Sequence, residues 1–372
     1  MNRSSISLGR VLGIPVGLDY SWFLIFALLT WSLATSYYPA EFKSWPTAEY
    51  WIMGALTAIM LFVSVLLHEL GHSIVALRYK IPVRSITLYI FGGVSQIGVD
   101  PPSPASAFWI TIAGPAVSFA LAALFGLLAL AFVAVSPLLA LTKYLAYINV
   151  ALGLFNLIPG LPLDGGGVVR AVVWGVTQDV KRATLIAANV GRFIAYLFIA
   201  VGVWQVVSGN LINGLWITFI GWFMENAAVA QVQQQKIQSL LAGHKVSEAM
   251  RHNYSAVRPD TSLDEIVHDH ILGSARRSLV VEENDRVVGL LTVHHIKEIP
   301  PATWPAMTAS QAMIPTTLMK RIRPDAELWS ALEEMDRDGV NQLPVMVDGQ
   351  IQGMLGRDDV ISFLRISQEL GA

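Results

Sequence analysis

Leu61-Phe62-Val63-Ser64-Val65-Leu66-Leu67-His68-Glu69-Leu70-Gly71-His72 ends an apolar run in three ionisable side chains. The run reads as part of a membrane helix, and ionisable groups inside or at the edge of hydrocarbon are costly enough to demand a reason. On a helix, positions 68 and 72 lie one turn apart on one face, so both imidazoles can reach a single metal ion about 2 Å away. Glu69 stands beside them, where a carboxylate could take a proton from metal-activated water, as in other His-Glu-x-x-His sites. Histidines satisfied within a packed core are the plainer alternative.

Composition puts much of the chain in lipid. Of its 372 residues 54% are hydrophobic and 14% charged, with a mean hydropathy of +0.53, too apolar for an ordinary soluble protein. Charges are unevenly spread: 13 of the 185 residues from 51 to 235 are Asp, Glu, Lys or Arg, against 33 of the 137 from 236 to 372. A membrane domain over 1–235 is expected, followed by a linker over 236–243 and a soluble part. Six segments, near 20–38, 51–77, 107–135, 138–158, 184–207 and 210–228, approach the roughly 20 apolar residues that a span needs. The first is expected to be a retained helix, because it ends in Tyr37-Tyr38-Pro39 and not in a small-residue cleavage site. With six spans, Arg3, Arg10, Arg78, Lys80, Arg84, Arg170, Lys181, Arg182, Arg192, Lys236 and Lys245 share one side, and Lys43 and Lys143 the other. The excess marks the cytoplasmic face, so both termini are expected there. A net charge of -2 with scattered cations gives no basic surplus of the kind nucleic-acid binding needs, so no nucleic-acid partner is expected. With no cysteine, any metal is held by His, Asp or Glu.

A catalytic zinc takes three protein ligands and keeps one position open. The best third candidate is Asp164, within Asn156-Leu157-Ile158-Pro159-Gly160-Leu161-Pro162-Leu163-Asp164-Gly165-Gly166. Prolines and glycines are expected to interrupt the helix there, and irregular backbone at membrane depth persists only where protein or water covers it. A capped helix end carrying a surface Asp is the competing account.

These residues resemble the site-2 proteases, intramembrane zinc metalloproteases with His-Glu-x-Gly-His on one membrane helix and Asn-x-x-Pro-x-x-x-x-Asp-Gly-Gly some 90 residues later. The resemblance implies zinc held by His68, His72 and Asp164, Glu69 as general base, and Asn156 positioning substrate or the oxyanion. Ile86-Thr87-Leu88-Tyr89-Ile90-Phe91-Gly92-Gly93-Val94 reads as a strand or hairpin at the membrane edge. Its exposed edge could pair with an extended peptide. Ala113-Gly114-Pro115 also matches a family signature, without assigned chemistry.

Residues 244–372 contain two related units offset by 64 or 65 positions: Pro259, Asp260, Leu263 and Gly289 correspond to Pro324, Asp325, Leu328 and Gly353. Each reads as short strand, amphipathic helix, two strands and a helix, over 244–302 and 303–372. The pattern resembles a pair of cystathionine-β-synthase (CBS) domains, which often bind adenosine nucleotides. The expected signature, Gly-x-x-Ser/Thr-x-x-Asp, is half complete in each unit. Gly289 and Thr292 are followed by His295 where Asp belongs, and Gly353 and Asp359 flank Gly356 where the hydroxyl belongs.

The expected protein is a multi-spanning α-helical membrane domain of about six helices with a small membrane-edge β element, followed by a soluble α+β tandem CBS module. Its expected activity is zinc-dependent hydrolysis of peptide bonds in membrane-anchored substrates, such as anti-sigma factors or signal-peptide remnants, in a prokaryotic plasma membrane. The CBS pair would regulate or dimerise it, and adenosine nucleotide is a possible ligand at Thr292 and Asp359. A CBS-regulated transporter or channel is the rival, since an intramembrane Asp beside a broken helix also suits transport. A transporter, however, does not require His-Glu-x-x-His on one helix.

Overall fold

The computed structural model describes residues 5–370 except 91, 99, 275 and 285. Arg3, counted above for orientation, and Phe91, within the expected strand, lie outside the described residues. The chain divides into two compact units between Gln233 and Gln234.

Helices α1 (Ser21–Glu41), α2 (Thr47–Arg78), α3 (Pro104–Ala131), α4 (Ser136–Asn156) and α6 (Val180–Val207) are long and apolar enough to cross a membrane. Between α4 and α6 stands the shorter α5 (Asp164–Thr177). The expected sixth span opens α7 (Leu211–Leu241), a continuous helix that is not among those five. Asn213, Glu225 and Asn226 dilute its apolar run. Arg192, counted above at a helix end, instead lies inside α6, where its Nε is 3.5 Å from Glu225 Oε1. A cation at that depth needs a carboxylate partner.

The α2 helix is the hub of this unit. Tyr38 Oη and Thr57 Oγ1 lie 2.6 Å apart, Asn149 Nδ2 donates to Ser64 Oγ at 3.1 Å, and His68 Nδ1 lies 2.8 Å from Ser118 Oγ. So α1, α4 and α3 each reach α2 through a buried polar bond. Such bonds between membrane helices contribute about 0.6 kcal/mol each on average and fix register as well.

The β element is larger than expected. Strands β1 (Ser5–Val11) and β2 (Ile14–Asp19) form an antiparallel hairpin ahead of α1. The expected hairpin is present as β3 (Val83–Tyr89) and β4 (Gly92–Ile97), and the sheet runs β1-β2-β3-β4 with β2 and β3 parallel. Ile14 and Ile86 pack with Leu66 and Leu70 of α2, which lays the sheet beside Glu69. Strand β4 is at the sheet's end, so its outer edge has no strand partner among the described residues.

The second unit holds both repeats. The first contains β5 (Ala256–Val257), β6 (Ser278–Glu283) and β7 (Arg286–Thr292), with β8 (Ile314–Pro315) completing a sheet of order β5-β6-β7-β8. The second contains α8 (Leu328–Asp338), the hairpin β9 (Gln342–Val347) and β10 (Gln350–Gly356), and α9 (Arg357–Leu370). The flanking segments are exchanged. Leu241 and Val246 pack with Leu328, Leu343 and Leu355 of the second repeat. Ala309 and Ala312 pack with Leu263, Leu279 and Leu291 of the first. The division at 302/303 follows chain order, whereas burial ties each short flanking helix to the other repeat.

Candidate metal centre

His68 and His72 are 4% and 7% exposed on α2, and their rings meet edge to face with centroids 4.9 Å apart. Asp164 reaches them across 92 residues because the chain breaks after α4 and restarts at α5. Leu161 N–H donates to Ala187 O of α6 at 3.2 Å and Leu163 N–H to Gly160 O at 3.1 Å, anchoring the connection. Asp164 is the first residue of α5, where the positive end of a helix favours a carboxylate.

One expectation needs correction here. The break covers only 157–163, while Gly165, Gly166 and Gly167 lie inside α5. Their reason is close approach. A Cβ at Gly165 would strike the carbonyls of Leu157 and Ile158, and one at Gly167 would stand 2.7 Å from Thr111 Cγ2 of α3.

The donor atoms converge. His68 Nε2 lies 3.1 Å and His72 Nε2 3.4 Å from Asp164 Oδ2, and the two Nε2 atoms are 3.2 Å apart. Bonds of about 2.0–2.1 Å to a tetrahedral zinc place neighbouring ligand atoms roughly 3.3–3.4 Å apart. All three separations come within about 0.3 Å of that edge, so the donor set fits one face of a zinc tetrahedron, and no fourth His, Asp or Glu donor joins it among the described residues. Among the described residues this is the one such group of three; His268, His270, His294 and His295 form none.

The rings are held from behind by α3. His72 Nδ1 is 2.7 Å from the Ile110 carbonyl and His68 Nδ1 is 2.8 Å from Ser118 Oγ. Between these, Gly114 leaves room for both rings: a Cβ there would lie 2.6 Å from His68 Nε2 and nearer still to the His72 ring. The Ala113-Gly114-Pro115 signature thus belongs to the centre. Composition hid this, because small residues on membrane helices ordinarily serve helix packing. Ser118 and Asn149 could have been singled out as polar residues buried within apolar runs.

Glu69 does not join the donor triangle. Its side chain lies against β4, where a Cβ at Gly93 would stand 2.5 Å from Glu69 Cγ and 3.3 Å from Oε1. Asn156 is the last residue of α4, half-buried, and makes no side-chain hydrogen bond among the described residues. In the second unit, Thr292 Oγ1 accepts from His295 N–H at 3.3 Å and caps the helix Val293–Ile296. Asp359 Oδ2 accepts from Gly356 N–H at 2.8 Å, while its Oδ1 pairs with Arg251 Nε at 2.7 Å. Both nucleotide-signature residues are already engaged within the chain.

Fold and centre together define a multi-pass helical membrane protein with a buried two-histidine, one-aspartate site next to a glutamate. The model of "Peptidase family M50" matches residues 56–143 and 131–198, and that of "CBS domain" matches 246–301 and 314–366. Rip3 of Mycobacterium tuberculosis, named as a zinc metalloprotease, is 35% identical over 98% of this chain and 94% of its own. The zinc metalloprotease sll0528 of Synechocystis sp. is 33% identical over 98% of this chain and 97% of its own. A solved site-2 protease from Methanocaldococcus jannaschii is 30% identical, covering 61% of this chain and 95% of that one with a TM-score of 0.43. The chain belongs to peptidase family M50 and carries a CBS pair.

Proposed function

We propose that this zinc metalloprotease hydrolyses peptide bonds in or near the transmembrane segments of membrane-anchored proteins, at the centre formed by His68, His72, Asp164 and Glu69. The observation that carries the reading is the convergence of His68 Nε2, His72 Nε2 and Asp164 Oδ2 at 3.1–3.4 Å from one another. Zinc held there supplies a Lewis acid that brings the pKa of water to about 7 and polarises the scissile carbonyl. Glu69 is the general base: its carboxylate takes the proton of the attacking water and delivers it to the leaving amine nitrogen. Asn156, whose side-chain amide makes no hydrogen bond among the described residues, is assigned to the substrate carbonyl or its oxyanion.

Substrate has to arrive extended, since a helical segment keeps its amides engaged in its own hydrogen bonds. The open edge of β4 offers backbone donors and acceptors to such a strand. The contact of Gly93 with Glu69 supports delivery of the bound amide to the base.

The domain assignment is 1–235 for the protease, 236–243 for the linker, and 244–302 and 303–372 for the CBS domains. Counting the apolar start of α7 as the sixth span, the distribution of Lys and Arg assigns the termini and the CBS pair to the cytoplasm, and the organisms of Rip3 and sll0528 support a prokaryotic plasma membrane. Anti-sigma factors and signal-peptide remnants are the substrate classes that suit such an enzyme. The CBS pair is assigned regulation or homodimerisation. Adenosine nucleotide would have to displace Arg251 from Asp359, which argues for weak binding or none.

Metal content tests the ligand set. Purified full chain in detergent is expected to hold one zinc per chain, and His72→Ala and Asp164→Ala to lose it. Stoichiometric zinc in both variants would mean that other residues hold the metal.

A further inference from the structure

We infer that Ser118, on α3, is the positioning residue that aims the His68 imidazole at the metal centre by accepting a hydrogen bond from its Nδ1–H. The inference rests on the reading of His68, His72 and Asp164 as zinc ligands. Each histidine turns Nε2 toward Asp164 Oδ2, at 3.1 and 3.4 Å, so only Nδ1 remains to fix the ring from outside. For His72 the partner is the Ile110 carbonyl at 2.7 Å. A carbonyl can only accept, so the proton sits on Nδ1 and Nε2 keeps the lone pair that a metal needs.

Among the described residues no backbone carbonyl fills that role for His68. Its Nδ1 lies 2.8 Å from Ser118 Oγ, and His68 Nδ1 is the one side-chain partner of that hydroxyl among the described residues. Ser118 is wholly buried, so no solvent competes for the bond. It stands two turns beyond Ile110 on α3, with Gly114 midway and cut back to hydrogen where the rings lie. One helix therefore addresses both imidazoles. The His72 ring is fixed by main chain, which substitution cannot remove. The His68 ring is fixed by a side chain, which substitution can remove.

When His68 ligates through Nε2, its Nδ1–H is buried and must have an acceptor. Alanine at 118 would leave that N–H unpaired and the ring free to turn about its Cβ–Cγ bond. Threonine keeps the hydroxyl and adds a methyl group. Valine adds the same bulk without the hydroxyl, so threonine and valine separate the hydrogen bond from packing.

The test measures zinc retention by the full chain in detergent against a competing chelator, for wild type, Ser118→Ala, Ser118→Thr and Ser118→Val. Loss of an outer partner is expected to weaken zinc about 10–100-fold in the alanine and valine variants, while threonine stays within about threefold of wild type. The Co²⁺-substituted Ser118→Ala variant is also expected to show shifted visible bands, which a loss of helix packing alone would not move. Its metal-free form is expected to melt only slightly lower than wild type, as loss of one polar bond between membrane helices implies. The inference is overturned if Ser118→Ala retains zinc as wild type does, or if Ser118→Thr loses as much as Ser118→Val. A wild-type chain that takes up no zinc would overturn the ligand assignment itself, a result distinct from either of these.

Discussion

Replacing Gly114 by alanine would put a methyl group 2.6 Å from His68 Nε2 and closer to His72, at the point where the donors converge. We expect Gly114→Ala to lose zinc affinity by about tenfold or more, read as metal content after dialysis against chelator. Gly93→Ala should behave differently. The three atoms nearest its Cβ would all belong to Glu69, with Cγ first at 2.5 Å, so zinc content should hold. Turnover should fall on the order of 100-fold, because a misplacement near 1 Å in a reacting group can cost that much. Equal zinc loss in both variants would show that Glu69 and the ligands are not separable. The convergence of His68, His72 and Asp164 was legible in the sequence because helical spacing alone puts positions 68 and 72 on one face, and because an Asp amid prolines and glycines is out of place in lipid. Gly114 and Ser118 were not, since their meaning depends on which helix lies opposite, and periodicity within one helix does not encode that.

Element by element, long apolar helices could be read because a membrane span needs length and apolarity and little else. The β1–β2 hairpin was missed: Gly9 and Gly13, both at positive φ, break its strand pattern, and its register depends on pairing with β3 some 70 residues away. The α5 helix was missed because three successive glycines oppose helix formation when taken alone. Tertiary packing overrides that preference, as the approach of Gly165 to the 157–158 carbonyls shows. The same logic makes α6 the support of the Asp164 connection. A Cβ at Gly191 would stand 2.8 Å from Leu161 N and 3.0 Å from its carbonyl carbon. Gly191→Ala is therefore expected to destabilise the membrane unit by about 1–3 kcal/mol through overpacking, visible as a lowered melting temperature in detergent. It should also weaken zinc, as Asp164 shifts. An unchanged melting temperature would remove α6 from this role.

At the scale of the whole molecule, every proposed catalytic residue lies before Gln233, so deletion of 244–372 is expected to leave zinc content intact and to change cleavage rate or selectivity. Loss of zinc on that deletion would contradict the division of labour. The absence of native cysteines makes orientation directly measurable. Single cysteines replacing Arg84 and Lys245 should label from the cytoplasmic side, and one replacing Lys43 from the other; labelling of Lys43 and Lys245 from the same side would reject the six-span arrangement. The central claim is that Glu69 performs the chemistry at a zinc that His68, His72 and Asp164 hold without it. The most direct measurement takes wild type and Glu69→Gln from one preparation and determines zinc per chain together with cleavage of a membrane-anchored substrate within its transmembrane segment. The account predicts equal zinc in both, with cleavage by Glu69→Gln abolished. Cleavage by that variant within about tenfold of wild type, less than general-base loss ordinarily costs, would contradict it.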